Sequence, residues 1–282
     1  MLLDAAMGTE LARRGVRTTL PVWSAWALLE APEAVFAIHG EAVRAGADVL
    51  TANTFRTHRR SLAKAGLGEG AGELTARAVA LARRAAAGAS REIFVAGSLS
   101  PLEDCYRPEL APEESVLLAE HLEQAEALAG AGVDLILAET HNSVRELSAA
   151  VRAARETRLA VAASVVTDGQ GRLLSGEPLD DAAREIAHLS PDLLAINCVP
   201  AALLAGDLAL VSRALPGYRL GAWGNLGPPS DAEQTQFTAA VSPERFAALA
   251  RDWLALGARL VGGCCGTTAA HTKALRALLD SF

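Results

Sequence analysis

The order of elements along the chain predicts an α/β fold in which eight parallel strands alternate with helices and close into a single (β/α)8 barrel of the TIM type. Three observations carry that expectation. Eight short apolar, β-branched runs recur, separated by segments with helical spacing of apolar residues. One phrase recurs where a helix ends at Gly and a strand begins: Ala45-Gly46-Ala47-Asp48, Ala131-Gly132-Val133-Asp134 and Leu256-Gly257-Ala258-Arg259. No Gly-rich nucleotide fingerprint follows any strand, as the alternative, an open doubly wound sheet, would be expected to show. The 282 residues suit one barrel, which commonly takes about 250. No linker or break in composition divides them, so residues 1–282 read as one barrel domain.

The expected strands are 1–4, 48–53, 92–98, 133–139, 159–166, 192–198, 218–224 and 258–264. Three helices have clear ends. One opens at Ala31-Pro32-Glu33 and stops at Gly46; the next opens at Pro112-Glu113-Glu114 and ends near Gly130-Ala131-Gly132; the third opens at Ser242-Pro243-Glu244 and ends at Gly257. In each, Pro sits where a missing N–H costs nothing, acidic side chains meet the positive helix end, and Gly closes the last turn. The longest departure from a plain barrel is Gly8–Leu29, between the first strand and its helix. It holds Trp23 and Trp26, and loops at that end of a barrel carry function.

Composition narrows the function. Half of the residues are hydrophobic but only 4% are aromatic, so the core is expected to consist of small and branched aliphatics. The net charge of -7, with no cluster of Lys or Arg, argues against nucleic acid and anionic membranes as partners. The start resembles no signal peptide and no run is long and apolar enough to span a membrane, so a cytoplasmic location is the expectation. In that compartment four cysteines point to metal or catalysis rather than disulfides.

In a barrel the C-terminal ends of the strands converge on one mouth, where active sites are built. Those ends bring Asp4, Asn53-Thr54, Ser98, Glu139-Thr140, Asn197-Cys198, Asn225 and Cys264-Cys265 together. Alone, Cys198 reads as a small core residue and a Cys-Cys pair as structural; at two strand ends of one barrel they read as a metal site. Three thiolates suit Zn2+ and leave one of four positions open, as catalytic sites do. Such a centre can bind an incoming thiol and lower its pKa, which points to thiol alkylation. Gly262, Gly263 and Gly266 leave room for adjacent cysteines to face one ion, and Thr267 or Thr268 can cap the last helix. Asp4 and Glu139 read either as solvated strand-end acids or as the catalytic-site carboxylates that take the ammonium group of an amino-acid substrate. Asn53, Ser98 and Asn225 are further candidate substrate contacts. Trp23 reads as part lid and part core, with a face that a cationic methyl donor could use. His141 reads as a loop residue, and Cys105 as a free thiol in a polar loop.

These segments resemble the homocysteine S-methyltransferases along nearly the whole chain. The matching stretches are Leu3-Asp4-Ala5-Ala6-Met7-Gly8-Thr9-Glu10-Leu11, Ala45–Phe55, Glu139-Thr140, Ile196-Asn197-Cys198 and Gly262-Gly263-Cys264-Cys265-Gly266-Thr267-Thr268. The resemblance implies a zinc-bearing barrel that methylates L-homocysteine to methionine, with Cys198, Cys264 and Cys265 as ligands. It implies Asp4 and Glu139 at the substrate amino group, and the backbone amides after Asp4, at Ala5 and Ala6, as a carboxylate cradle. One departure is Ala5, where the family usually has Gly; a backbone needing φ > 0 there would be strained.

The family's donors include S-methylmethionine, S-adenosylmethionine, betaine or a thetin, and methyltetrahydrofolate through cobalamin. Val22-Trp23-Ser24-Ala25 followed by Leu28-Leu29-Glu30-Ala31-Pro32-Glu33 looks like the branch that uses S-methylmethionine. The partners expected are therefore small molecules, L-homocysteine and a sulfonium donor. Three other roles remain: a methyl-acceptor subunit for a separate corrinoid protein, a betaine- or thetin-dependent homocysteine methyltransferase, and a zinc- or thiol-binding regulatory protein without turnover.

Overall fold

The computed structural model describes residues 1–227 and 241–281. Among them seven strands form one all-parallel sheet in sequence order: β1 Val49–Ala52, β2 Phe94–Leu99, β3 Leu135–His141, β4 Ala160–Val165, β5 Leu193–Pro200, β6 Leu220–Asn225 and β7 Ala258–Gly263. Leu2 bridges Val261 of β7 and Leu3 bridges Val49 of β1, both in parallel, so the N-terminal segment is the eighth stave and closes the (β/α)8 barrel. Leu3 N–H donates to the Val261 carbonyl at 2.8 Å and Asp4 N–H to that of Val49 at 3.0 Å. The expected strand at 1–4 is thus only two bridged residues long. The next donor along β1, Thr51 N–H, goes to the Asp4 carboxylate at 2.9 Å instead of extending the backbone ladder.

The recurring strand-entry aspartates have a structural cause. Asp48 accepts from Leu2 N–H at 2.8 Å, Asp134 from Val95 N–H at 2.7 Å, and Asp192 from Val161 N–H at 2.9 Å. Each carboxylate thereby pairs a backbone donor on the preceding stave that would otherwise be buried and unmet. The glycines before them end their helices in left-handed geometry, with φ of 101° at Gly46 and 86° at Gly132. The three expected helices are Pro32–Ala45, Glu114–Gly130 and Pro243–Ala255. The second starts later than the sequence implies, because Glu113 is extended and acts as its N-cap, leaving Pro112 outside.

The barrel interior holds one side chain from every stave: Leu3, Val49, Ala96, Leu137, Ala162, Ala195, Trp223 and Leu260. Three alanines make room for one large indole. Trp223, Trp253 and Phe246 are the largest fully buried side chains among the described residues. No described helix is long and apolar enough to cross a membrane.

Closure of the barrel depends on close approach at Gly262. A Cβ there would lie 2.6 Å from Leu3 Cβ and 3.1 Å from the Leu3 carbonyl oxygen. Gly262→Ala is expected to destabilise the protein by about 1–3 kcal/mol through overpacking. An unchanged urea midpoint would show that the first stave has slack there.

Candidate active site at the barrel mouth

The three sequence-selected cysteines meet at the C-terminal end of the barrel. β5 carries Cys198 across a register shift between Asn197 and Pro200, and the residue takes a positive φ of 56°. Cys264 and Cys265 follow β7 in a turn held by Cys264 N–H to the Gly224 carbonyl (2.7 Å) and Thr267 Oγ1 to the Cys264 carbonyl (2.6 Å). Thr268, not Thr267, caps the last helix, in a capping box with His271. The three sulfurs lie within 4.8 Å of one another, with Cys198 and Cys265 3.7 Å apart. A tetrahedral site with Zn–S bonds of about 2.3 Å sets its sulfurs about 3.8 Å apart. The donor set therefore fits zinc in both chemistry and spacing. Contacts with Cys264 and Cys265 pull the Cys198 thiol well below its ordinary pKa, while contact with Cys198 pushes theirs up.

Both candidate carboxylates are buried and neither is a solvated strand-end acid. Asp4 accepts from Thr51 N–H and from Thr51 Oγ1, each at 2.9 Å. Glu139 accepts from Ser98 Oγ at 2.5 Å and from Trp223 Nε1 at 3.2 Å. Burial pushes each carboxyl up to about 7, and Glu139 adds its repulsion to Asp4. No cationic side chain is hydrogen-bonded to either one among the described residues.

Asn197 links the two strand ends. Its Oδ1 accepts from Thr140 N–H at 2.9 Å and Ser164 Oγ at 2.7 Å, and its Nδ2 donates to Thr140 Oγ1 at 2.8 Å. Thr140 also has a positive φ, 63°, and β3 shifts register between Ala138 and His141. Irregularities of this kind re-aim side chains near active sites. Here they flank Glu139 and Cys198, and one buried amide holds both.

Asp4, Ala5, Ala6, Trp23, Asn53, Ser98 and Glu139 line one cavity of about 320 Å3 together with the three cysteines. Ala5 is not among the positive-φ residues, so the alanine is unstrained. The Ala6 amide already faces Thr267 Oγ1 at 3.3 Å. Asn53 spends its side-chain amide on Ser24, donating to its carbonyl and accepting from its hydroxyl, which anchors the turn bearing Trp23. Trp23 meets Phe55 edge to face with ring centres 5.7 Å apart. Asn225 stands behind the cysteines: it donates to the Cys198 carbonyl at 3.0 Å and accepts from Gly227 N–H at 3.2 Å.

Several residues at the mouth are not evident from sequence. Tyr106 lines the cavity with its hydroxyl 3.2 Å from Cys198 Sγ, and its one sequence signal is a place in the loop after a strand. Thr51 and Trp223 hold the carboxylates. Cys105 is buried against the same cavity, and burial pushes its thiol up, away from reactivity. His141 is not a loop residue: it ends β3 fully buried, with Nε2 3.2 Å from the Leu99 carbonyl, because the strand runs on past Glu139. Beside it, His121 Nε2 lies 3.4 Å from Glu146 Oε1, which also accepts from Leu102 N–H at 2.8 Å.

Three sulfurs spaced for a soft metal, in one cavity with two buried carboxylates at a barrel mouth, suit an enzyme that handles a sulfur nucleophile. The comparisons agree. The homocysteine S-methyltransferase family model matches residues 1–279, and the chain belongs to that family. The homocysteine S-methyltransferase of Escherichia coli (strain K12) is 32% identical, covering 98% of this chain and 94% of the relative. Homocysteine S-methyltransferase YbgG of Bacillus subtilis (strain 168) is 29% identical, covering 100% and 95%. The metallated crystal structure of the homocysteine methyltransferase MmuM from Escherichia coli superimposes with a TM-score of 0.84 at 30% identity, covering 98% of this chain and 95% of that one. The chain is thus a methyl-transfer enzyme acting on small molecules.

The raised carboxyl of Asp4 has a consequence for stability. A carboxyl with pKa raised on folding favours the folded state at low pH, and that contribution is lost as pH rises through about 7. Asp4→Asn removes the titration. It is expected to raise the melting temperature of metal-free protein by several degrees at pH 8, with the gain shrinking as pH falls from 7 towards 4. An equal shift at both ends of that range would contradict the buried-charge account.

Proposed function

We propose that the enzyme binds Zn2+ through Cys198, Cys264 and Cys265 and transfers a methyl group from a sulfonium donor, S-methylmethionine before S-adenosylmethionine, to L-homocysteine. The observation that carries this reading is the three-sulfur cluster, spaced for tetrahedral zinc, in the same cavity as Asp4 and Glu139. When bound, zinc would supply an open position that lowers the pKa of a thiol held there, so that its proton is released to solvent.

The protein's own groups do the rest. Two like-charged carboxylates in one buried cavity each resist ionisation until a cation arrives. The ammonium group of homocysteine supplies it, and charge-assisted hydrogen bonds to Asp4 and Glu139 orient the substrate with its sulfur towards the cysteines. Thr51, Ser98 and Trp223 hold those carboxylates in place. The amides following Asp4 face the substrate carboxylate, Ala5 more freely than Ala6. Trp23, Phe55 and Tyr106 present aromatic surface to the donor, where a sulfonium gains from ring faces. The substrate sulfur forms its bond to the methyl carbon as the donor's carbon–sulfur bond breaks. The bonding pair leaves on a neutral thioether, so the donor's positive charge is discharged in the transition state.

Methionine formation is expected when reduced, zinc-loaded protein receives L-homocysteine and S-methylmethionine. Turnover with betaine but neither sulfonium would overturn the donor assignment, and turnover only with a methylated corrinoid protein would make this chain an acceptor subunit. Cys198→Ala is expected to lose bound zinc, by elemental analysis, together with at least about 100-fold of activity; an active zinc-free variant would refute the ligand set. Glu139→Gln is expected to raise the KM for homocysteine about tenfold or more, and an unchanged KM would remove it from the ammonium site.

A further inference from the structure

His39 lies on helix Pro32–Ala45, its side chain wholly excluded from solvent. Neither ring nitrogen has a hydrogen-bond partner among the described residues. A buried unpaired ring N–H costs about 1–3 kcal/mol, so a histidine kept in such a place calls for a reason. Its nearest acidic group is Asp4, whose Oδ2 is 3.9 Å from His39 Nδ1. Burial lowers the imidazolium pKa to about 4, so the ring is neutral and carries one N–H.

Among the described residues the other side-chain partners of Asp4 are both on Thr51, one at each carboxylate oxygen. Thr51 therefore fixes the plane of the carboxylate, while His39 approaches it from the helix layer. A contact of 3.9 Å is about 1 Å longer than a charge-assisted hydrogen bond. Ionised Asp4 attracts such a donor more strongly than protonated Asp4 does, and an ammonium ligand in the cavity favours the ionised form.

We propose that His39 is a positioning residue for substrate recognition: with the tautomer that carries hydrogen on Nδ1, it closes on Asp4 Oδ2 when an amino-acid thiol docks and holds that carboxylate towards the ligand's ammonium group. The inference rests on the homocysteine reading above and adds a residue outside the cavity wall. It concerns the amine of the substrate and not its sulfur. A core role without recognition would affect every ligand alike.

That distinction supplies the test. Binding of L-homocysteine and of 4-mercaptobutanoate, the same thiol acid without its amine, is measured by calorimetry on zinc-loaded protein. His39→Leu keeps the bulk and loses the donor; His39→Asn keeps an N–H near the Nδ1 position; His39→Gln places its amide near Nε2. His39→Leu is expected to weaken homocysteine binding about tenfold or more, since hydrogen bonds to charged groups contribute about 1.5–3 kcal/mol. Binding of the amine-free analogue should change less than about twofold. His39→Asn should restore most of the homocysteine affinity and His39→Gln should not.

Equal weakening of both ligands in His39→Leu, or no weakening of either, would overturn the proposal. Should the leucine variant fail to fold, the Asn and Gln pair decides: equal homocysteine affinities overturn it, and tighter binding by Asn alone supports it. Failure of the wild-type protein to bind L-homocysteine would instead overturn the substrate reading itself.

Discussion

Closure of the barrel by Leu2 and Leu3 is the contact from which the active site follows. Those two residues bridge β7 and β1, and their hydrogen bonds deliver Asp4 to the mouth. The Asp4 carboxylate then takes the β1 donor that a longer strand would have used, while its carbonyl accepts from Gly263 N–H at 3.2 Å. One residue thus ties the first stave to the turn that carries Cys264 and Cys265. Gly262 permits that approach, since any side chain there would push the first stave away from β7.

The second constraint is local strain held by buried polar groups. Thr140 and Cys198 both adopt left-handed backbone, which costs a residue other than glycine about 1–3 kcal/mol and persists only where surroundings over-determine it. Asn197 provides that over-determination through three buried hydrogen bonds. Asn225 adds another at the Cys198 carbonyl. The polar residues around the cysteines and Glu139 thus hold neighbouring groups of the cavity in place, as Asn53 does for the Trp23 turn and Ser98 for Glu139. Rigid support of this kind lets a site keep its geometry without a ligand present.

Electrostatics gives the cavity its direction. Two buried carboxyls, a sulfur cluster and a tyrosine hydroxyl meet there, with no cationic side chain hydrogen-bonded to the carboxylates among the described residues. Burial of this kind disfavours ionised carboxyls that have no compensating cation beside them.

Much of this was legible in the amino-acid sequence. Strand and helix periodicity, the Gly-Asp junctions and residue chemistry were enough for the barrel, for the three cysteines, and for Asp4 and Glu139 at one mouth. These are signals carried within a few residues, and barrel topology turns them into neighbours. The supporting residues were not legible, because their partners are distant in the chain. Tyr106 reaches Cys198 across 92 positions, Trp223 reaches Glu139 across 84, and Asn197 reaches Thr140 across 57. His39 looks like any residue on the buried face of a helix until the fold sets it behind Asp4. Local pattern determined which elements form and which side chains carry chemistry; only packing across the closed barrel decided which groups orient them, because those contacts do not exist until the last stave is in place.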